Sequence, residues 1–184
     1  MNIKTLWRIG TSIIRNVWLK IRHGSNFCCK GLASCSLPTR IEIEKTGKVV
    51  IGNHLSSRKN LEIIVRNSGK LVIGEGVNFN NDCSITCRNN IEIGDNVIFG
   101  PNCKVFDHDH DYKKTGADRR KSTISGDIII GNGVWFGANC VVLRNTYIGD
   151  NCVFAAGSII KGNYDSNTLV IQKRMEERKV IGYE

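Results

Sequence analysis

Residues 130–159 read I-G-N-G-V-W, F-G-A-N-C-V, V-L-R-N-T-Y, I-G-D-N-C-V and F-A-A-G-S-I, five six-residue blocks each opened by an aliphatic residue or Phe. The same period holds at 93–104, I-G-D-N-V-I and F-G-P-N-C-K, and at 73–84, I-G-E-G-V-N and F-N-N-D-C-S. Taken in threes, the leading residues are Ile73/Phe79/Ile85, Ile93/Phe99/Val105, Ile130/Phe136/Val142 and Ile148/Phe154/Ile160. All twelve are apolar, six of the twelve residues that follow them are Gly, and nine of the twelve fifth residues are Val, Cys, Thr or Ser.

An amphipathic strand alternates with period two between turns roughly 8–12 residues apart. A period of six needs another geometry. Three hexads close one triangular coil, with the leading residue pointing inward. Glycine follows where the chain turns with little room, and the small fifth residue points inward near a corner. Coils stacked about 4.8 Å apart turn each face into a parallel sheet. The Phe series 79, 99, 136 and 154 opens the second hexad of every coil, so its rings should stack along one face. Cys83, Cys103 and Cys140 take fifth positions, which makes them packing residues rather than nucleophiles. Ile41–Glu44, Val49–Gly52 and Leu61–Val65 read as less regular turns of the same winding, and about six coils are expected between residues 41 and 161.

The chain of 184 residues is 41% hydrophobic and 23% charged, enough to bury one core and unlike a disordered chain. No apolar run reaches the roughly 18 residues of a membrane-spanning helix, and no short apolar stretch near the start ends in a small-residue cleavage site. The eight cysteines include no C-x-x-C pair, so the common zinc and thioredoxin signatures are missing and most thiols are expected reduced and buried.

The net charge of +9 is uneven: residues 1–40 hold seven Lys/Arg and no acid, leaving +2 for the remainder. Within this segment, residues 3–21 have helical periodicity. Ile3, Leu6, Trp7, Ile13, Ile14, Val17, Trp18 and Ile21 fall in an arc of roughly 140°. A basic amphipathic helix with tryptophans suits a membrane surface; packing on the fold as a cap is the other reading, and both can hold. No nucleic-acid-reading motif accompanies the charge.

After Val105 the period breaks, to resume at Ile130. The gap begins F-D-H-D-H-D-Y and holds two of the four histidines, His108 and His110. Three readings stand on the residues: a histidine as general base, oriented by Asp107, Asp109 or Asp111; a metal site in the Asp/His run; or a solvated loop. Three organisational units follow: residues 1–40 as basic helix and linker, 41–164 as β-helix with an extruded loop at 106–127, and 165–184 as a tail.

The run G-D-N-V-I-F-G-P-N-C-K-V-F-D-H-D-H (94–110), followed by I-G-N-G-V-W-F-G (130–137), resembles the hexapeptide-repeat acyltransferases. The maltose/galactoside O-acetyltransferase type is similar, and the D-H-D-H form looks like the branch that modifies bacterial polysaccharides. The resemblance implies an all-β, left-handed parallel β-helix and acetyl transfer from acetyl-CoA to a sugar hydroxyl, with no acyl-enzyme and no metal. By position it implies His110 as base. Asn80, Asp82, His108 and Trp135 would lie at the acceptor, and Trp135, Ala138, Ala156 and Lys161 at the coenzyme. The family's C-terminal G-x-P-A element is replaced by N-T-L-V-I-Q-K-R (167–174), where Lys173 and Arg174 are either phosphate ligands or a solvated tail. Homotrimers with sites between neighbours and work in capsule or O-antigen synthesis complete the implied picture; the expected location is cytoplasmic, peripheral on the inner membrane face if the helix at residues 3–21 takes the membrane reading given above. An acetyltransferase for another small acceptor, such as an amino sugar or antibiotic, and a non-catalytic repeat scaffold are the alternatives.

Overall fold

The computed structural model describes residues 3–44 and 46–173. Its body is a three-sided parallel β-helix. Face one is built from Phe27–Cys29, Lys48–Ile51, Lys70–Ile73, Asn90–Ile93, Ile128–Ile130 and residues 146–148. Face two stacks Ala33–Cys35, Leu55–Ser57, Asn78–Phe79, Ile98–Phe99, Trp135–Phe136, Val153–Phe154 and Leu169–Val170. Face three stacks Thr39–Ile43, Leu61–Val65, Ser84–Cys87, Lys104–Phe106 and residues 141–143 and 159–160. The strand Val141–Ile148 runs round a corner, which joins faces one and three into one eleven-stranded sheet.

All twelve leading residues of the hexads are buried, as are the nine small fifth residues. The rings of Phe79, Phe99, Phe136 and Phe154 stack at 4.6, 4.8 and 5.2 Å, nearly parallel, and Tyr164 closes the column edge-on at 5.0 Å. The Cys83, Cys103 and Cys140 thiols each donate to a carbonyl one coil further on, those of Gly100, Gly137 and Ala155. Burial and the neighbouring Asp107 carboxylate push the Cys87 thiol far up, so it stays protonated.

Two positions of the hexad carry the turns. The second is held to Gly by crowding: a Cβ on Gly74 would come within 2.6 Å of the Gly94 backbone, and one on Gly94 within 2.7 Å of Gly131. The fourth adopts the left-handed conformation, in Gly76, Asp82, Asn96, Asn102, Gly133, Asn139, Asn145, Asn151 and Gly157. Asn, Asp and Gly are the residues that tolerate it.

The winding extends past the boundaries read from the sequence. Coil one is formed by residues 27–43, so the linker expected up to residue 40 is already β-helix; residues 162–164 and Leu169–Val170 begin a seventh coil, the latter strand inside the expected tail. Six complete coils precede it. The N-terminal helix α1 spans Ile3–His23 and packs against Ala33–Cys35, the edge strand of face two. The extruded segment between Phe106 and Ile128 holds a two-stranded antiparallel hairpin, His108–His110 with Thr123–Ser125, and a short helix α2, Gly116–Lys121.

Removing a central ring from the aromatic column leaves a cavity that flanking coils cannot close, because their spacing is set by the sheets. Phe99→Ala is expected to lower unfolding free energy by about 3–5 kcal/mol in urea titrations, with the far-ultraviolet β signal kept in the absence of denaturant.

Candidate active site

The extruded hairpin is rooted by a buried carboxylate. Asp107 is fully buried; its oxygens accept the Arg88 N–H at 2.8 and 2.9 Å and the Asn89 N–H at 2.7 Å. The other foot of the loop meets the same dipeptide, since Asn89 Nδ2 donates to Asp127 Oδ1 at 2.6 Å. Gly126 N–H donates to the Asp107 carbonyl and closes the neck. Asp109 takes the Arg144 Nε–H at 2.8 Å and ties the hairpin to the strand below. The loop therefore leaves the prism on a fixed stem.

Both histidines sit on that stem with their Nδ1 atoms engaged. His108 is largely buried and its Nδ1 lies 3.1 Å from Asp107 Oδ1. His110 is exposed and its Nδ1 lies 3.0 Å from the Arg119 carbonyl of α2. A carbonyl oxygen only accepts, so Nδ1 carries the hydrogen and a neutral His110 presents its Nε2 lone pair outward. Of the three aspartates, only Asp107 orients an imidazole, that of His108; Asp109 goes to Arg144 and Asp111 caps the Lys113 N–H. Arg119 and Arg144 carried no sequence signal for this work. One acts through a backbone carbonyl, and the other interrupts a hexad as an ordinary polar residue.

The remaining candidates lie elsewhere on the prism. Asn80, Ala138 and Ala156 follow strands of face two and line the corner between faces two and three, Asn80 two coils before Ala138 and Ala156 one coil after it. The histidine stem occupies the corner between faces three and one. Trp135 stands half-exposed on face two between Ile98 and Val153. Asp82 is exposed in its left-handed turn, its carboxylate accepting from Asn60 Nδ2. Lys161 and Lys173 are exposed at the last coil, where the Gln172 amide bonds the N–H and carbonyl of Ile159 and holds the strand edge. Arg174 lies outside the described residues. A single chain thus splits its candidate groups between two corners.

The corner with Ala138 and Ala156 departs from the others chemically. On the corner between faces one and two, from Glu75 onward, the third-position N–H is taken by a side-chain oxygen of the next coil: Glu75 by Asp95, Asp95 by Asn132, Asn132 by Asp150, Asp150 by Ser166. On the candidate corner the ladder runs only from Lys59 to Asn81. Pro101 then has no N–H, and Ala156 has no oxygen to offer Ala138. Among the described residues, the N–H groups of Ala138 and Ala156 find no acceptor. The same stretch, Gly137–Ala138 over Ala155–Ala156, carries nothing bulkier than a methyl group. It forms a smooth track bordered by open donors.

The family model described as bacterial transferase hexapeptide (six repeats) matches residues 127–162. That match spans the two coils that follow the extruded loop. Among curated proteins, the chain is 25% identical over 136 residues to an Escherichia coli K12 protein named as a lipopolysaccharide biosynthesis O-acetyl transferase, WbbJ, covering 70% of this chain and 69% of that one. It is 37% identical over 83 residues to the galactoside O-acetyltransferase of the same strain, covering 43% of this chain and 38% of the relative. Among solved structures, a galactoside acetyltransferase in complex with coenzyme A shares the fold, with a TM-score of 0.52 and 21% identity over 92% of this chain and 78% of the other. The winding described above is consistent with the left-handed β-helix.

Asp107→Asn sets an amide NH2 against N–H donors that now meet carboxylate oxygens. The expected result is a loss of about 1–3 kcal/mol in urea titrations, with faster tryptic cleavage at Lys113 and Lys114 as the stem loosens.

Proposed function

We propose that this protein is an acetyl-CoA-dependent O-acetyltransferase whose acceptor is a sugar hydroxyl of a bacterial surface polysaccharide, capsule or O-antigen. The observation that carries the reading is the pairing of an imidazole with an outward lone pair and a corner stripped to open N–H donors, on a chain similar over most of its length to a protein named for lipopolysaccharide O-acetylation. Bound acetyl-CoA supplies an acyl thioester. His110 Nε2 takes the proton of the acceptor hydroxyl as its oxygen forms the new bond to the acetyl carbon. The C–S bond breaks, and His110 returns the proton to the departing sulfur. The Ala138 N–H meets the negative charge that develops on the acetyl oxygen. Among the described residues no Ser hydroxyl or Cys thiol hydrogen-bonds either imidazole, including Ser125 across the hairpin from His108, so the acyl group passes directly to the acceptor.

The corner fits a coenzyme arm. A narrow amide-bearing chain needs a groove without side chains, and Gly137 fits the closeness: a Cβ there would lie 2.7 Å from the Ala156 nitrogen. Trp135 borders this track on the acceptor side, with Asn80, Asp82 and His108 toward the sugar. Lys161 and Lys173 at the last coil supply cations for the phosphates, with Arg174 as the further candidate from the sequence. Because the imidazole and the track occupy different corners of one prism, a complete site takes one corner from each of two copies. A ring of three closes such a head-to-tail contact, which gives a homotrimer with three shared sites.

Two variants test the halves separately. His110→Ala is expected to lower kcat about 10²–10⁴-fold with the KM for acetyl-CoA little changed; near wild-type turnover would overturn the base assignment. Ala156→Asp extends the side-chain ladder so that the new carboxylate takes the Ala138 N–H. It is expected to keep the fold and melting temperature while abolishing the thermal stabilisation that coenzyme A gives the wild type by mass action. An unchanged shift would remove the track from the site.

A further inference from the structure

We propose that α1 is an interfacial anchor that seats the protein on an anionic lipid bilayer. The helix meets the β-helix with its polar side. Arg8 Nη2 donates to the Ser34 and Ser57 carbonyls at 2.7 and 2.8 Å, Ser12 Oγ accepts the Cys35 N–H at 3.1 Å, and Lys20 Nζ donates to the Phe27 carbonyl at 3.1 Å. Leu19 is the one apolar side chain of α1 buried in this contact. At about 100° per residue, Arg8, Ser12 and Leu19 centre on a line opposite the apolar arc. That arc faces away from the fold: Ile3, Trp7, Ile14, Val17, Trp18 and Ile21 are between 52% and 83% exposed. The exposed surface continues into a groove where Trp7 and Ile14 face Leu37 and Lys59.

Charge and aromatic placement select the occupant. Residues 1–40 contain seven Lys/Arg and no acid. Trp7 and Trp18 stand where the apolar arc meets the basic flank of Lys4, Arg15 and Arg22, and the Arg22 guanidinium lies over the Trp18 ring at 5.2 Å. Indole at the boundary, aliphatic side chains within it and lysine and arginine beside it is the arrangement that a headgroup layer accommodates. A second copy of α1 suits the surface poorly. Two acid-free helices packed through this arc would bring their basic flanks together without a compensating carboxylate. The anchoring rests on the helix alone and is independent of the acetyltransferase reading.

The test uses the full-length protein with phosphatidylcholine vesicles prepared with and without phosphatidylglycerol. The wild type is expected to pellet with phosphatidylglycerol vesicles, less so at high salt as the charge term is screened, and to leave phosphatidylcholine vesicles largely unbound. Ile14→Glu/Ile21→Glu, both at exposed positions, is expected to lower the partition coefficient at least about tenfold. Quenching of tryptophan emission by lipids brominated in the upper acyl chain provides a second reading on the wild type itself. Equal pelleting of wild type and variant, no pelleting with phosphatidylglycerol, or no quenching would overturn the proposal. So would light scattering in which the two glutamates split a wild-type oligomer into smaller particles, for then another copy covers the arc.

Discussion

Coil-on-coil contact at sheet spacing is the constraint from which the other features descend. Each coil must turn three corners and leave the next at hydrogen-bonding distance, close enough that a single added methyl at Gly74 would strike the Gly94 carbonyl. The spacing places like residues over like residues, and so builds the phenylalanine column and the run of thiols donating along the axis. It also leaves third-position N–H groups along the corners, several of which are met by a side-chain oxygen one coil away. Asp95, Asn132 and Asp150 take that role on one edge.

Where the ladder lapses, structure becomes available for chemistry. Pro101, Ala138 and Ala156 sit at positions that on the other edge carry Asp95, Asn132 and Asp150, so the side-chain ladder is given up along this stretch of corner. An unpaired donor weakens a fold unless solvent or a ligand meets it. Two such donors on consecutive coils, with the side chains reduced to methyls beside them, support the coenzyme track proposed above. The stem at the opposite corner shows the complementary economy. Asp107 spends its whole carboxylate on Arg88, Asn89 and His108, which fixes the hairpin and leaves His110 to be aimed by a backbone carbonyl.

The winding was legible because its signal is redundant: leading residues, small fifth residues and the phenylalanine series all report one period. Coil one was legible only in its third strand, at Ile41–Glu44, because F-C-C and A-S-C lack the glycines and the aliphatic spacing that mark later coils. The left-handed fourth positions were present as Asn, Asp and Gly but are visible only once the register is fixed. His110 stood out by residue type and position. Its partner did not, since a carbonyl acceptor is supplied by whichever residue the backbone places there. The division of candidate residues between two corners was equally hidden, because sequence distance says nothing about which edge of a prism a residue occupies.

The helix carries the sharpest lesson about periodicity. An apolar stripe ordinarily marks the face turned to the core, yet here the stripe is turned outward. The reason lies in what it caps. The end of a β-helix is a ring of edge strands whose N–H and carbonyl groups have no further coil to bond. Such an end asks for donors and acceptors, and Arg8, Ser12 and Lys20 provide them at the Ser34, Cys35 and Phe27 backbone. Once the polar side has been claimed by the edge, helical geometry leaves the apolar arc pointing away from the fold. Packing against this body cannot bury it, so what it meets must come from outside the chain.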